Sequence, residues 1–165
     1  IDEVLESLPS LAREIPSLRY LVVGEGSDRA RLEAVASKLG VRDRVVFTGY
    51  VAESEKAAHY RLADAFVMPG RGEGFGIVYL EALASGVPVV ASVLDASRET
   101  VLDGELGVLV DPRDATSVHN GIRHAVCRDA PPRTHPAFDH YSRHSFETRW
   151  RNALDLLRHN GRGQP

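Results

Sequence analysis

The chain has 165 residues, 43% hydrophobic and 26% charged, which fits one ordinary globular domain with room for a sizeable core. A net charge of -3 argues against nucleic acid or anionic lipid as general partners. The single cysteine, Cys127, excludes a disulfide framework or a cysteine-rich zinc site, and no apolar run is long enough to span a bilayer.

In chain order, Val4, Leu5, Leu8, Leu11 and Ala12 predict a helix that is interrupted by Pro9 or starts after it. Leu18–Val23 reads as a buried strand ending at Gly24. Asp28–Leu39 reads as a helix with Ser27 as N-cap, Leu32, Val35, Ala36 and Leu39 on one face, and Gly40 at the stop. Arg44–Thr48 is the next strand, Glu53–Leu62 a helix, and Ala65–Met68 a strand closed by Pro69. Gly76–Ala84 is a helix, Val87–Ala91 a strand, and Arg98–Leu102 a helical turn. Gly107–Val110 is a fifth strand, and Asp114 caps a helix reaching Cys127. Near-continuous apolar strands alternating with helices predict an α/β domain, a Rossmann-like doubly wound parallel sheet. The expected divisions are 1–128 for that domain, 129–141 for a proline-bearing connector, and 142–165 for a closing helix and tail. Phe146, Trp150, Leu154 and Leu157 form its apolar stripe, expected to pack in the core or at a domain interface. Cys127 is expected to be a small buried hydrophobe.

The stretch from Pro69 to Pro88 carries the chemistry. Glycines alternate from Gly70 to Gly76, so the backbone can bend tightly and a ligand can approach closely. The helix behind this turn aims its first N–H groups and its positive dipole end at the loop, which suits a phosphate. Glu73 and Glu81 stand on either side. No cation occurs three or four residues from Glu81, so an intrahelical salt bridge does not explain it. A partly buried carboxylate needs hydrogen-bond donors, and a ribose diol supplies two. Glu73, read alone, fits equally a solvated residue paired with Arg71.

Glu73 and Glu81 in this setting resemble the E-x7-E motif of retaining GT-B glycosyltransferases, family four. Other segments are similar in the same order: Leu21–Leu32, Arg44–Val51, Asp64–Pro69, Gly86–Ser92 and Gly104–Pro112. The resemblance covers roughly residues 1–128 and implies the C-terminal, donor-binding half of a GT-B fold. It implies that Glu81 accepts hydrogen bonds from the donor ribose, and that the Gly74 turn with the N–H groups of Phe75, Gly76 and Ile77 holds the phosphates. Glu73 would contact the donor sugar as the catalytic carboxylate. Tyr50 and Val51 would line the base, and Gly24 and Gly26 the mouth of the cleft. It implies a hexose transferred with retention from a UDP- or GDP-sugar, no cofactor, and no metal ion.

The family's first strand and its Gly-Arg…Lys-Gly residues have no counterpart here, nor does the N-terminal acceptor domain. The chain is therefore read as a fragment lacking its first strand, inactive alone and expected in the cytoplasm, with any peripheral membrane contact made through the missing domain. Gly70 stands where serine is common, and Asp95-Ala96-Ser97 where a diglycine is common.

The rival from another class is a non-catalytic nucleotide or nucleotide-sugar-binding module. Gly24-Glu25-Gly26 after a strand suggests a dinucleotide site, but Arg29 stands where the third glycine is needed. His140 and His144 have a metal-compatible spacing without further ligands, and read as solvated surface.

Overall fold

Four leucine and valine side chains decide the first element. In the computed structural model, α1 runs unbroken from Asp2 to Glu14 with Pro9 inside it. A proline within a helix costs about 3 kcal/mol. Against it, Val4, Leu5, Leu8 and Leu11 are all at most 3% exposed, and each contributes roughly 1.5–3 kcal/mol on burial. Burial wins, so the expected interruption is absent. The structure describes residues 1–127 and 136–160, with side chains to 155.

The chain divides into two units, residues 1–133 and 134–165. The first holds all five described strands. β1 (Tyr20–Val23) pairs in parallel with β2 (Val45–Gly49), Tyr20 lying opposite Val45. β3 (Phe66–Val67), β4 (Val89–Ser92) and β5 (Val108–Val110) form a second parallel sheet in that spatial order. Helices α2 (Arg29–Lys38), α3 (Glu53–Arg61), α4 (Ile77–Ala84), the short α5 (Ser97–Thr100) and α6 (Ala115–Val126) alternate with the strands. Every residue of β4 is buried, as expected of a central parallel strand covered on both faces. The parallel α/β architecture expected from the alternation is present. Its strands fall into two separate ladders, β1-β2 and β3-β4-β5.

α1 reaches the cores of both ladders. Val4 and Leu11 pack with Val90, Val110, Val118 and Ile122. Leu5 and Leu8 pack with Leu32, Ala36, Val41 and Val45. One helix presenting two apolar faces thus supports two sheets.

Some local expectations are corrected. Ser27 does not cap α2: its N-cap is Asp28 in helical geometry with no capping hydrogen bond. Asp28 instead pairs with Arg31, which also grips Asp2 of α1 at 2.6 and 2.9 Å. Asp114 does cap α6, accepting from the Thr116 N–H at 2.9 Å. α4 begins at Ile77, with Gly76 as its N-cap. Cys127 is exposed, not buried, because the last turn of α6 turns it away from Val118, Ile122 and Ala125.

In the second unit a 3-10 segment, Pro136–Tyr141, precedes α7 (Arg143–Asn160). Residues 129–135 of the expected connector lie outside the described residues, as does the side chain of Leu157. Phe146 and Trp150 are 61% and 60% exposed, so they are not core residues. His140 belongs to the 3-10 segment and His144 to α7, so they do not share a helix. His140 receives its hydrogen bonds from Arg149, and no metal-binding cluster occurs among the described residues.

Candidate nucleotide-sugar site

The turn entering α4 is shaped around one tyrosine. Tyr79 is fully buried. Its hydroxyl donates to the Met68 carbonyl at the end of β3, and burial pushes its pKa up to about 12. Its ring lies directly against Gly76, where an added Cβ would fall 2.6 Å from the ring. Gly76 also has φ +80°, the left-handed conformation that disfavours side chains. Glycine is required there on both counts.

Beyond Gly76 the chain presents amides. The N–H groups of Gly76 and Ile77 donate to no described residue, as expected at a helix start. The Phe75 N–H donates to Glu73 Oε1 at 3.3 Å, so Glu73 already offers an anion to one member of the expected phosphate cradle. Gly74, Phe75 and Ile77 are exposed beside it.

Glu73 is held through its backbone. Its N–H donates to Asp95 Oδ2 at 3.3 Å, and its carbonyl accepts from the Ala96 N–H at 3.2 Å. Asp95 is fixed in turn by Ser97, whose N–H and hydroxyl donate to Oδ1 at 3.0 and 2.5 Å. Thr100 donates its hydroxyl to the Phe75 carbonyl. The Asp95-Ala96-Ser97 departure from the family pattern is therefore the brace of the Glu73 loop. Arg71 pairs with Glu3 of α1 at 3.4 Å, not with Glu73.

Glu81 is half-buried on α4. Its partner is Tyr60 of α3, whose hydroxyl donates to Oε2 at 2.9 Å. Oε1 takes no hydrogen bond from a described residue. Burial and the Glu81 carboxylate both raise the Tyr60 pKa well above the usual phenol range. Lys56, one turn before Tyr60, pairs with Glu53 at 2.7 Å and lies within electrostatic reach of Glu81 and Tyr50.

The other expected residues gather at the ends of β1 and β2. The Gly24 N–H donates to the Gly49 carbonyl at 3.1 Å. That bond brings the Gly24–Gly26 loop beside Gly49, next to Tyr50 and Val51. Tyr50 is 73% exposed. Glu25, Gly26 and Arg29 line a surface depression, and the Arg29 guanidinium lies 5.5 Å from the Phe47 ring centroid.

Sequence reasoning missed Tyr60, Tyr79 and the bracing role of Asp95. Tyr60 carried one signal, the absence of any cation near Glu81 on its own helix, which calls for a donor from a neighbouring element.

The profile of the family described as "Glycosyl transferases group 1" matches residues 1–136. The chain belongs to the glycosyl transferases group 1. Among curated members it is 40% identical over 156 residues to a GDP-mannose-dependent alpha-(1-6)-phosphatidylinositol monomannoside mannosyltransferase of Mycolicibacterium smegmatis, covering 90% of this chain and 40% of that protein. It is 43% identical over 124 residues to a phosphatidyl-myo-inositol mannosyltransferase of Mycobacterium tuberculosis, covering 72% of this chain and 32% of that one. The chain thus spans well under half the length of these group 1 relatives. Among solved structures, the glycosyltransferase WaaG, described as involved in lipopolysaccharide biosynthesis, superposes with a TM-score of 0.67 at 28% identity, over 77% of this chain and 34% of that one. The C-terminal domain of a group 1 family protein (LpcC) from Francisella tularensis gives 0.65 at 27% identity, over 77% and 68%.

Proposed function

We propose that this chain is the donor-binding part of a hexosyltransferase that uses a nucleotide diphosphate sugar, with GDP-mannose as the expected donor. The observation that carries this reading is the entrance to α4, where two amides with no partner among the described residues lie between Glu73 and Glu81. Amides and the helix dipole suit a diphosphate, and Glu81 Oε1 suits ribose hydroxyls. GDP-mannose is suggested by the names of the mycobacterial relatives.

Glycosyl transfer builds negative charge on the departing diphosphate and positive charge on the sugar ring. The amides of Gly76 and Ile77 would stabilise the first. For Phe75 to join them, the diphosphate would displace the Glu73 carboxylate from its N–H. That exchange would free Glu73 for the sugar, where its charge would favour the cationic ring. Retention of configuration is the outcome that the resemblance implies. We expect the transfer to need no metal ion, as the resemblance implies. A further domain would hold the acceptor, and the relatives' names suggest an inositol-containing lipid met at a membrane surface.

Calorimetric titration of the chain tests this reading. Affinity should rise from phosphate to GDP to GDP-mannose and be indifferent to EDTA. Glu81→Ala should weaken GDP by about 10- to 100-fold, the consequence of losing roughly 1.5–3 kcal/mol of hydrogen bonding to a charged group. Binding that appeared only with Mg²⁺ or Mn²⁺, or that ignored Glu81→Ala, would refute it.

A further inference from the structure

Glu81 sits on a helix that offers it no cation, and its one described hydrogen-bond donor comes from another helix. Tyr60 is itself fixed. Its ring meets Phe66 edge-on at 5.6 Å between centroids, and Phe66 meets the buried Tyr79 at 5.5 Å in the same manner. Three rings thus run from the core, under the Gly76 turn, to the Glu81 carboxylate.

We propose that Tyr60 is a positioning residue for Glu81 and confers the site's discrimination for a vicinal diol. The inference rests on the reading of Glu81 as the ribose-binding carboxylate. The chemistry follows from the donor type. A phenol has few torsions, and edge-to-face packing locks them. It donates one hydrogen bond to Oε2 and leaves Oε1 with its lone pairs for two hydroxyls. It carries no charge that would compete with those hydroxyls for the carboxylate. Lys56, within electrostatic reach of Glu81, is engaged by Glu53 at 2.7 Å. A carboxylate without Tyr60 would sample several rotamers, and a ligand would have to order it on arrival.

Tyr60→Phe keeps the ring and removes the hydroxyl. The chain is titrated with whichever of GDP and UDP binds more tightly, and with the 2′,3′-dideoxy form of that nucleotide. The expected result is about a tenfold loss for the ribonucleotide and an unchanged Kd for the dideoxy form, so the preference for the diol collapses. In a Glu81→Ala background, Tyr60→Phe should have no further effect. Equal losses for both nucleotides would show a merely structural tyrosine and overturn the inference. So would no loss, or additive losses in the double variant. If Tyr60→Phe lowers Tm enough to obscure titration, Phe66→Leu replaces it: the hydroxyl stays while its brace loosens, and the loss must again be confined to the ribonucleotide. Indifference of the ribonucleotide to Glu81→Ala alone, or failure of both nucleotides to bind, would instead overturn the reading of Glu81 and the inference with it.

Discussion

Gly76→Ala tests how the turn entering α4 is built. Two costs apply at this position. The left-handed backbone, φ +80°, costs a residue with a Cβ about 1–2 kcal/mol. The new methyl would stand 2.6 and 2.8 Å from two Tyr79 ring carbons. The ring cannot retreat, because it is fully buried and its hydroxyl is tied to Met68. Overpacking of this kind costs about 1–3 kcal/mol. Together the substitution should destabilise the chain by about 2–5 kcal/mol, or roughly 4–20 °C in Tm for a domain of this size. Thermal and urea denaturation measure it. Tyr79→Leu separates the two costs. In that background Gly76→Ala should retain the backbone cost and lose much of the clash, giving a coupling of about 1–3 kcal/mol in a double-mutant cycle. A Tm within about 2 °C of the parent, or strict additivity in the cycle, would refute this account of the turn.

Asp95→Ala should leave nucleotide affinity nearly intact and lower turnover in the intact transferase, because Asp95 braces the Glu73 loop and not Glu81; Glu73→Ala should do the same more severely, as steady-state kinetics at saturating donor would show. Tyr79→Phe should flatten the alkaline limb of stability. The folded-state pKa is raised from 10.0 to about 12, so this contribution is complete below pH 10 and is lost as pH rises toward 12; urea midpoints across that window should fall more steeply for the parent than for the variant. Gly121→Ala places a Cβ 2.2 Å from Val110 Cγ1 and should cost about 1–3 kcal/mol without changing the preference for GDP over its dideoxy form. Leu5→Ala should cost about 2–5 kcal/mol, since Leu5 is fully buried in the core around α2 and β2; a loss near zero in denaturant titration would show that α1 does not support that sheet.

The sequence by itself determined the alternation of strands and helices, because apolar spacing and glycine or proline stops act within a few residues. It also singled out the α4 entrance as a candidate anion site, since alternating glycines ahead of an apolar helix imply one local geometry. Asp114 was legible as a cap for the same reason: its acceptor reaches an amide two residues away. Tertiary structure decided what depends on distant partners. Pro9 reads as a break until Val4, Leu5, Leu8 and Leu11 find two cores to enter. Tyr60 and Glu81 are 21 residues apart, and Glu73 and Asp95 are 22 apart; no local period links either pair. Cys127 reads as a small core residue by type, yet which face of a helix end is covered depends on what packs there. The need for a donor at Glu81 was visible in the chain, but its identity was set by the packing of α3 beside α4, which brings a phenol and not a cation to that carboxylate.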